Sequence, residues 1–529
     1  MQNNYFFKKH RLKIFIFLAF LSLFTRIINL SFVNKVIFDE VHFGKFITQY
    51  LRNEYFFDIH PPLGKLLLSG IAKLTKLNPA TNFSSIGLVF PPTTPIAALR
   101  FLPALMGALL IPLIFLFAEI LIRSPRAGLI ASTIILFDNA FVVQSRLISL
   151  DMLMLFFIIL TLYSYLRSKQ TYKPFWLFLS GISGGLAGST KWIGLTGLAI
   201  VYVLLIIEYI SIRNSCDKLS LKRLCLLIFT LIFIPFIIYY TIFVIHFKLL
   251  NKPGEGNAFM SKEFNASFYG DKIKRGPSLF KKFIELNIVM YRSNLQNLTH
   301  HYSSKWFTWP LMMRPVSYLH SSVKDAWVQN ITFLGNPFVW WLSTLGMLTF
   351  VLLIILKKIF PSKFKNIPDF PGKGVILIGY LIAYLPFVSI SRCMFLYHYL
   401  TALIFAVIAT GVLLDRLISA EEIFSPLPSI ITLISGLPLL ILISRGVYLW
   451  YFPKEIPFLM GSLFILSGCL FSLYLYFITK KDIYKIPHLW LMTLFLTLIG
   501  CFLILSPLSY GLPINQKTFD FYMWIRSWI

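Results

Sequence analysis

Apolar runs about twenty residues long, separated by short polar connections, repeat along most of this chain, which is the pattern of helices sized to the hydrocarbon core of a bilayer. They begin near residues 13, 96, 126, 147, 174, 192, 223, 338, 374, 394, 427, 456 and 487. The runs at 174 and 374 are the weaker ones, so about eleven to thirteen transmembrane helices are expected. Two long polar stretches interrupt the series, at roughly 34–95 and 248–336. Within the first, residues 41–52 (VHFGKFITQYLR) and 63–77 (LGKLLLSGIAKLTKL) show helical amphipathic spacing with lysines on the polar face. Such segments are expected to lie in the membrane interface, as plain anchors or as the walls of a groove for a lipid substrate.

The connections set an orientation. Lys and Arg cluster at Lys8, Lys9, Arg11 and Lys13, then at Arg123/Arg126, Arg167/Lys169/Lys173, Arg213/Lys218/Lys222/Arg223, Lys357/Lys358/Lys363/Lys365/Lys373 and Lys480/Lys481/Lys485. Every second connection is therefore basic, whereas the short connections of opposite parity carry Arg146, Lys191, Arg392 and Lys454. By the positive-inside rule the N-terminus is cytoplasmic and both long loops face outward.

Composition agrees with this: 57% hydrophobic, 17% aromatic and 13% charged, with mean hydropathy +0.75, far from a soluble domain. The net charge of +28 would otherwise raise the question of nucleic acid. Here it sits in short connections, so it is topological and no nucleic acid partner is expected. The cysteines Cys216, Cys225, Cys393, Cys469 and Cys501 lie outside both long loops and have no metal-ligand neighbours, so neither a disulfide framework nor a zinc site is expected. The first apolar run is too long for a signal-peptide core and is expected to be a retained span. With no internal repeat and no separate soluble stretch, residues 1–529 read as one membrane domain.

Several charges fall at one depth. Arg26 lies inside the first run, where an unpartnered charge is costly. Asp39 and Glu40 follow at the outer surface, Arg100 opens the second run, Arg146 and Asp151 bracket RLISLD, Lys191 lies in STKWIG, and Arg392 and His398 lie in RCMFLYHYL. Snorkelling and structural ion pairs account for any one of them. Together they describe an outward pocket of carboxylates and cations at the depth of a lipid phosphate. That pocket suits group transfer from a lipid-linked phosphate, with cations on the leaving group and a carboxylate taking a proton from the nucleophile. Adjacent residues on a helix do not share a face, so of Asp39 and Glu40 one would be the base and the other would orient it or pair with an arginine.

These segments resemble the protein O-mannosyltransferases. The resemblance is carried by FDEVHFGKF (38–46), YFFDIHPPLGK (55–65), ALRFLPALMG, DNAFVVQSRLISLD, STKWIGL, GEGNAFMSKEF, HHYSSKWFTWPLMMRPV, FLGNPFVWW and YLPF followed by RCMFLYHYL. It covers residues 1 to about 415 and leaves the helices expected at 427–510 outside the matched core. It implies an all-α C-type membrane glycosyltransferase fold that moves mannose from polyprenyl- or dolichyl-phosphate mannose to Ser or Thr of an exported polypeptide, with inversion. It also implies that Asp39 is the base on the acceptor hydroxyl, with Glu40 its neighbour in the motif. Arg26 and Arg100 match by spacing and are assigned to holding the carboxylates and the donor. His60, Lys65, Arg146, Lys191, Arg392 and His398 are the candidates for phosphate or sugar contacts. No cofactor is expected: the lipid-phosphate mannose is a substrate, and no His/Asp cluster with ligand spacing calls for a metal, although a carboxylate pair can hold a divalent cation.

In the second loop, His301, Ser304, Lys305, Trp306 and Arg314 of HHYSSKWFTWPLMMRPV are candidate acceptor contacts, although Trp and Tyr also populate the interfacial belt of any membrane protein. That loop, about ninety residues long, is too short for the three-repeat insert of eukaryotic family members. A bacterial-type chain in an inner membrane is therefore expected, with the endoplasmic reticulum as the alternative. Asn-x-Ser/Thr tripeptides at Asn82, Asn265, Asn297 and Asn330 do not decide between them. Two other functions remain open: a C-type transferase with a lipid or cell-wall glycan acceptor, and, more distantly, a transporter of lipid-linked sugar. Transport calls for inverted halves and helices broken at the midplane, whereas the ionisable groups here gather at one surface.

Overall fold

The computed structural model describes residues 7–214, 221–268, 277–296, 299–324, 326–364, 369–419 and 487–528. The runs expected near 427 and 456, with Lys218, Lys365, Lys454, Lys480, Lys481, Lys485, Cys216, Cys469 and Asn297, lie outside the described residues.

Every other expected run forms a helix: α1 (Arg11–Ile27), α4 (Ile96–Ile122), α5 (Pro125–Leu136), α7 (Asp151–Thr171), α8 (Pro174–Thr190), α9 (Thr196–Asn214), α10 (Leu221–Ile228) continuing through a π turn into α11 (Ile234–Leu249), α14 (Pro337–Ile359), α15 (Lys373–Tyr384), α16 (Leu400–Ser419) and α17 (Pro487–Tyr510). Among the described residues, six helical segments are long and apolar enough to cross a membrane, and a seventh if a bent pair counts as one span. The first run and the weak run at 174 give helices of 17 residues, at the lower limit for crossing. Phe17, Phe20, Ile206, Ile232, Phe236 and Leu348 are more than half exposed, as on a lipid-facing surface.

The bent pair is α5 with α6 (Asn139–Ser145), which turn by 67° at Asp138. Asp138 ends one helix by capping the next: Oδ1 accepts from Phe141 N (3.1 Å), while Oδ2 accepts from Asn336 N (2.9 Å) and Trp340 Nε1 (3.0 Å) at the start of α14. A carboxylate that satisfies a new helix start and a neighbouring one fixes the break.

The two amphipathic segments form α2 (Glu40–Arg52) and α3 (Leu63–Leu74), packed on each other. Their apolar faces join Val36, Phe83, Phe90 and Leu99 in a cluster under the first loop. Lys45 and Lys73 are exposed as expected, but Lys65 is not on the polar face: it is 1% exposed. Tyr50, Tyr55 and Phe56 of the first loop pack against Phe264, Phe283, Leu286 and Met290 of the second, which supplies α12 (Lys262–Ala266) and α13 (Leu279–Asn294). Backbone bonds from Tyr55 N to Lys252 O and from Lys252 N to Asn53 O (both 2.9 Å) join the two loops. Gly256 in the GEGNAF motif is required there, because a Cβ would come within 2.4 Å of the Phe56 backbone.

The second loop also holds strands not expected from the sequence. An antiparallel sheet of order β1 (Val316–Lys324), β2 (Trp327–Phe333) and β3 (Pro513–Asn515) pairs Leu319 with Ile331, His320 with Asn330, and Val328 with Ile514. Its third strand follows α17, so the hairpin finds its edge partner only through the tertiary fold.

Candidate active site

The site is built on a buried ion pair. Arg100 on α4 donates Nε to Glu40 Oε1 (2.7 Å) and Nη2 to Glu40 Oε2 (2.8 Å). Its remaining N–H groups reach Leu30 O (3.1 Å), Val33 O (2.7 Å) and Lys35 O (2.9 Å). Glu40 also accepts Ile37 N and Ile148 N, each at 3.0 Å. The five donors of the guanidinium are therefore all engaged. Arg100 therefore holds a carboxylate, as its assignment expected, but has no N–H left over for the donor, and Glu40, fully buried in the pair, is the member of the Asp39/Glu40 pair that meets an arginine.

That anchor holds Asp39 in place. Phe38 has φ +40°, a strained backbone for a non-glycine residue that persists only where its surroundings impose it. Here its N–H donates to Tyr318 O (3.1 Å) and its ring stacks on the Tyr318 ring at 4.2 Å. Asp39 takes the N-cap position of α2 but makes no capping hydrogen bond, and among the described residues its half-buried carboxylate has no side-chain partner. Burial pushes it up to about 7; Lys191 pulls back, while Asp151 and Asp58 push further.

Around Asp39 stand the outer ends of several elements. Lys191 occupies an extended residue between α8 and the 3-10 turn Trp192–Leu195, and its Nζ donates to Asp151 Oδ1 (2.8 Å). The Tyr397 ring lies 5.8 Å from the same ammonium. Lys65 pairs with Asp58 and donates to His60 O (2.6 Å), which orders the HPPLGK turn. Gly64 in that turn lets α3 meet α7 and α8, since a Cβ would lie 2.5 Å from Leu150 Cδ2. Burial, then Lys191, Lys65, Arg392 and His398, hold the His60 imidazole well below its ordinary value, so it is neutral at pH 7. Arg392 donates to Asn294 Oδ1, whose Nδ2 reaches Ile59 O (3.2 Å). The His398 ring stacks on Tyr397 at 4.7 Å and on Trp309 at 6.0 Å.

Of the three carboxylates here, Asp58 and Asp151 are neutralised by lysines and Asp39 is not. The guanidinium of Arg392 has only an amide partner among the described residues. The arrangement offers a base with an accessible proton affinity facing cations, which is the charge pattern of displacement at a lipid phosphate. Among the described residues, no cluster of three or more His, Cys, Asp or Glu is arranged to hold a metal ion.

The structure brings Asp39, His60, Lys191, Arg392 and His398 together and leaves other candidates outside. Arg26 is fully buried, donates Nη1 to Thr25 Oγ1 (2.8 Å) and makes no contact with Asp39 or Glu40. Arg146 caps the end of α1 through Arg26 O (2.9 Å) and Asn29 O (3.2 Å) and lies over Tyr510 at 4.5 Å. Lys65 faces Asp58 rather than open space. In the second loop, Ser304 Oγ accepts from Trp309 Nε1 (2.9 Å), Trp306 packs on Tyr384, and Arg314 holds His301 O (2.9 Å), so each of these three already has a partner within the protein. His301 and Lys305 remain exposed. Sequence reasoning passed over Asp58, Gln144 and Tyr318. Asp58 and Gln144 lay inside quoted motifs, whereas Tyr318 carried no signal, because its role depends on the sheet.

Residues 16–251 match the family described as dolichyl-phosphate-mannose-protein mannosyltransferase, and residues 279–461 match the C-terminal four TMM region of protein-O-mannosyltransferase. Dolichyl-phosphate-mannose--protein mannosyltransferase 4 of Candida albicans is 37% identical over 257 residues, covering 46% of this chain and 34% of that protein. The corresponding protein 1 of Saccharomyces cerevisiae is 31% identical over 330 residues, covering 59% and 40%. The chain thus spans between about a third and two fifths of the length of these curated relatives. The solved S. cerevisiae protein O-mannosyltransferase Pmt1-Pmt2 complex bound to the sugar donor superimposes with a TM-score of 0.80 over 98% of this chain and 93% of that one, at 20% identity. That likeness establishes the C-type glycosyltransferase fold.

Proposed function

The chain belongs to the dolichyl-phosphate-mannose-protein mannosyltransferase family, and from that premise we propose that it transfers mannose from dolichyl-phosphate mannose to Ser or Thr hydroxyls of exported polypeptides. The observation that carries this reading is Asp39, a half-buried carboxylate without a side-chain partner among the described residues, raised to about 7 beside Lys191. A base is most effective when its pKa is near the working pH.

The acceptor oxygen attacks the anomeric carbon as its proton passes to the Asp39 carboxylate. On the opposite face the bond from that carbon to the phosphate oxygen breaks, and its electron pair leaves with dolichyl phosphate. Attack from the far side inverts the centre. Lys191 and Arg392 stabilise the charge that grows on the phosphate. Neutral His60 and the His398 ring supply hydrogen bonds beside them, and His301 and Lys305 remain for the acceptor chain. These side chains supply the cationic stabilisation, and we assign no divalent metal to the reaction.

The protein is a multi-pass integral membrane protein, and the loop charges support a cytoplasmic N-terminus with the site facing outward. For the membrane we take the endoplasmic reticulum, because the relatives described above are fungal and give the bacterial form no support. We treat residues 1–529 as one transferase domain.

The test uses the purified protein in nanodiscs with dolichyl-phosphate mannose and a Ser/Thr-rich peptide, followed by peptide mass. Addition of a hexose by the wild type and its loss in Asp39→Asn is the expected result. Donor consumption with lipid or glycan acceptors, but none with peptide, would replace the protein acceptor and keep the donor chemistry.

A further inference from the structure

A buried hydrogen-bond chain connects the two ends of the site. Tyr318 Oη donates to Gln144 Oε1 (2.7 Å), Gln144 Nε2 donates to Asp151 Oδ2 (2.7 Å), and Lys191 Nζ donates to Asp151 Oδ1 (2.8 Å). All four residues are buried. They come from β1, α6, α7 and the α8–α9 junction, so neither local sequence nor a single element could align them. At its far end the chain continues into Phe38: the Tyr318 ring stacks on Phe38 and the Tyr318 carbonyl accepts the Phe38 N–H, one residue before Asp39.

We propose that Gln144 is a positioning residue that sets the placement of the Lys191 ammonium relative to the Asp39 carboxylate. The proposal rests on the mannosyl-transfer reading and deepens it, because an in-line displacement needs the base on one face of the sugar carbon and the phosphate cation on the other at a fixed separation.

A primary amide suits this place. Its oxygen accepts from Tyr318 while its NH2 donates to Asp151, so Asp151 faces two donors and remains an acceptor. Lys191 then commits one of its three protons to Asp151 and keeps two for phosphate oxygens. A glutamine present only to fill space would not need both ends engaged. The titratable and charged groups facing the amide are Asp151 and Tyr318 directly, and Lys191, Asp39, Tyr397 and His398 through Asp151 and Tyr318. Gln144 itself touches neither donor nor acceptor in this arrangement, so its removal disturbs alignment more than binding.

The test measures kcat and KM for donor and peptide in nanodiscs for wild type, Gln144→Leu and Gln144→Glu across a range of pH. Gln144→Leu is expected to lower kcat by about tenfold to a hundredfold while the donor KM stays within about threefold. Gln144→Glu keeps the shape of the side chain and separates alignment from packing. When protonated, its O–H donates to Asp151 and its carbonyl accepts from Tyr318, which reproduces both bonds; when ionised, it sets a second carboxylate against Asp151. Its activity relative to wild type is therefore expected to rise as pH falls. A wild-type kcat in Gln144→Leu, or a Gln144→Glu deficit that is the same at every pH, would overturn the inference. A wild-type protein that transfers no mannose would instead overturn the reading beneath it.

Discussion

Arg100 grips Glu40 through two hydrogen bonds of 2.7 and 2.8 Å, with the arginine 1% and the glutamate 0% exposed. The adjacent Asp39 is left without a side-chain partner among the described residues. Two neighbouring carboxylates thus have opposite surroundings, one locked into the scaffold and one with no side-chain hydrogen bond among the described residues.

Their substitutions should separate accordingly. Arg100→Ala strands a buried carboxylate and is expected to cost about 3–5 kcal/mol of stability, read as a lowered thermal transition in detergent. Arg100→Lys should not rescue it, because an ammonium cannot reproduce five directed N–H groups. Asp39→Asn should keep the wild-type transition below pH 7, where Asp39 is protonated, while transfer above pH 7 falls by about 10²–10⁴-fold. Equal loss of stability in both variants would contradict the division of roles.

The raised Asp39 carboxyl sets a pH dependence. With the folded value about 7 and the ordinary value 3.8, the site holds a proton throughout that interval and the base form dominates only above it. Transfer is expected to fall about tenfold per unit below pH 7, reporting one essential base. The linkage runs the other way: this group's contribution to stability is fully present below 3.8 and is lost as pH rises through 7. Asp39→Asn should remove that dependence. A rate profile flat between pH 5 and 7 would argue against Asp39 as the base.

Lys191 and Arg392 differ in what they leave behind. Lys191→Ala removes a phosphate cation and strands Asp151, so a loss of about 10²-fold in kcat should accompany a stability loss of about 3–5 kcal/mol. Adding Asp151→Ala should recover stability but not activity. Arg392→Ala leaves behind only the neutral amide of Asn294, so stability should change by less than about 1 kcal/mol while transfer falls about tenfold. Paired thermal and kinetic measurements on the three variants check this.

Orientation is open to a glycosylation test in a eukaryotic host. Asn82 is exposed, whereas Asn265 is tied to Asn257 O (2.9 Å) and accepts from Asn257 Nδ2 (2.6 Å), and Asn330 is buried in β2 against His320. If the first loop faces outward, then in a chain that carries Asn297→Gln throughout, a glycosidase-sensitive mobility shift should disappear with Asn82→Gln and persist with Asn265→Gln or Asn330→Gln. A shift that depends on Asn330 would contradict the sheet.

The division between legible and hidden features follows the range of the forces involved. Span positions were legible because about twenty consecutive apolar residues reflect the bilayer's thickness rather than any neighbour. The amphipathic helices α2 and α3 were legible for the same reason, as their periodicity is local. Lys65 was misassigned to the polar face because its partner Asp58 arrives from a turn, and nothing in helical spacing indicates that a lysine will be neutralised inside.

The site was partly legible through its motifs. Asp39, His60, Lys191, Arg392 and His398 were named from sequence and converge in space, but Arg26 and Arg146, at the same apparent depth, turn into a separate knot with Thr25, Asn29 and Tyr510. Depth along a membrane normal can be read from sequence; which side of a helix bundle a charge faces cannot.

By itself the sequence determined a multi-span membrane protein, the positions of its two long loops, its family and the residue types its chemistry would use, since each of these follows from composition, length or contiguous motif. Only the tertiary structure decided that Glu40 is locked by Arg100 while Asp39 is not, that β3 completes a sheet beneath the second loop, and that Tyr318, Gln144, Asp151 and Lys191 form one chain. Those outcomes depend on directed hydrogen bonds a few ångströms long, all but the Gln144–Asp151 bond between residues tens to hundreds of positions apart, a pairing that local patterning does not encode.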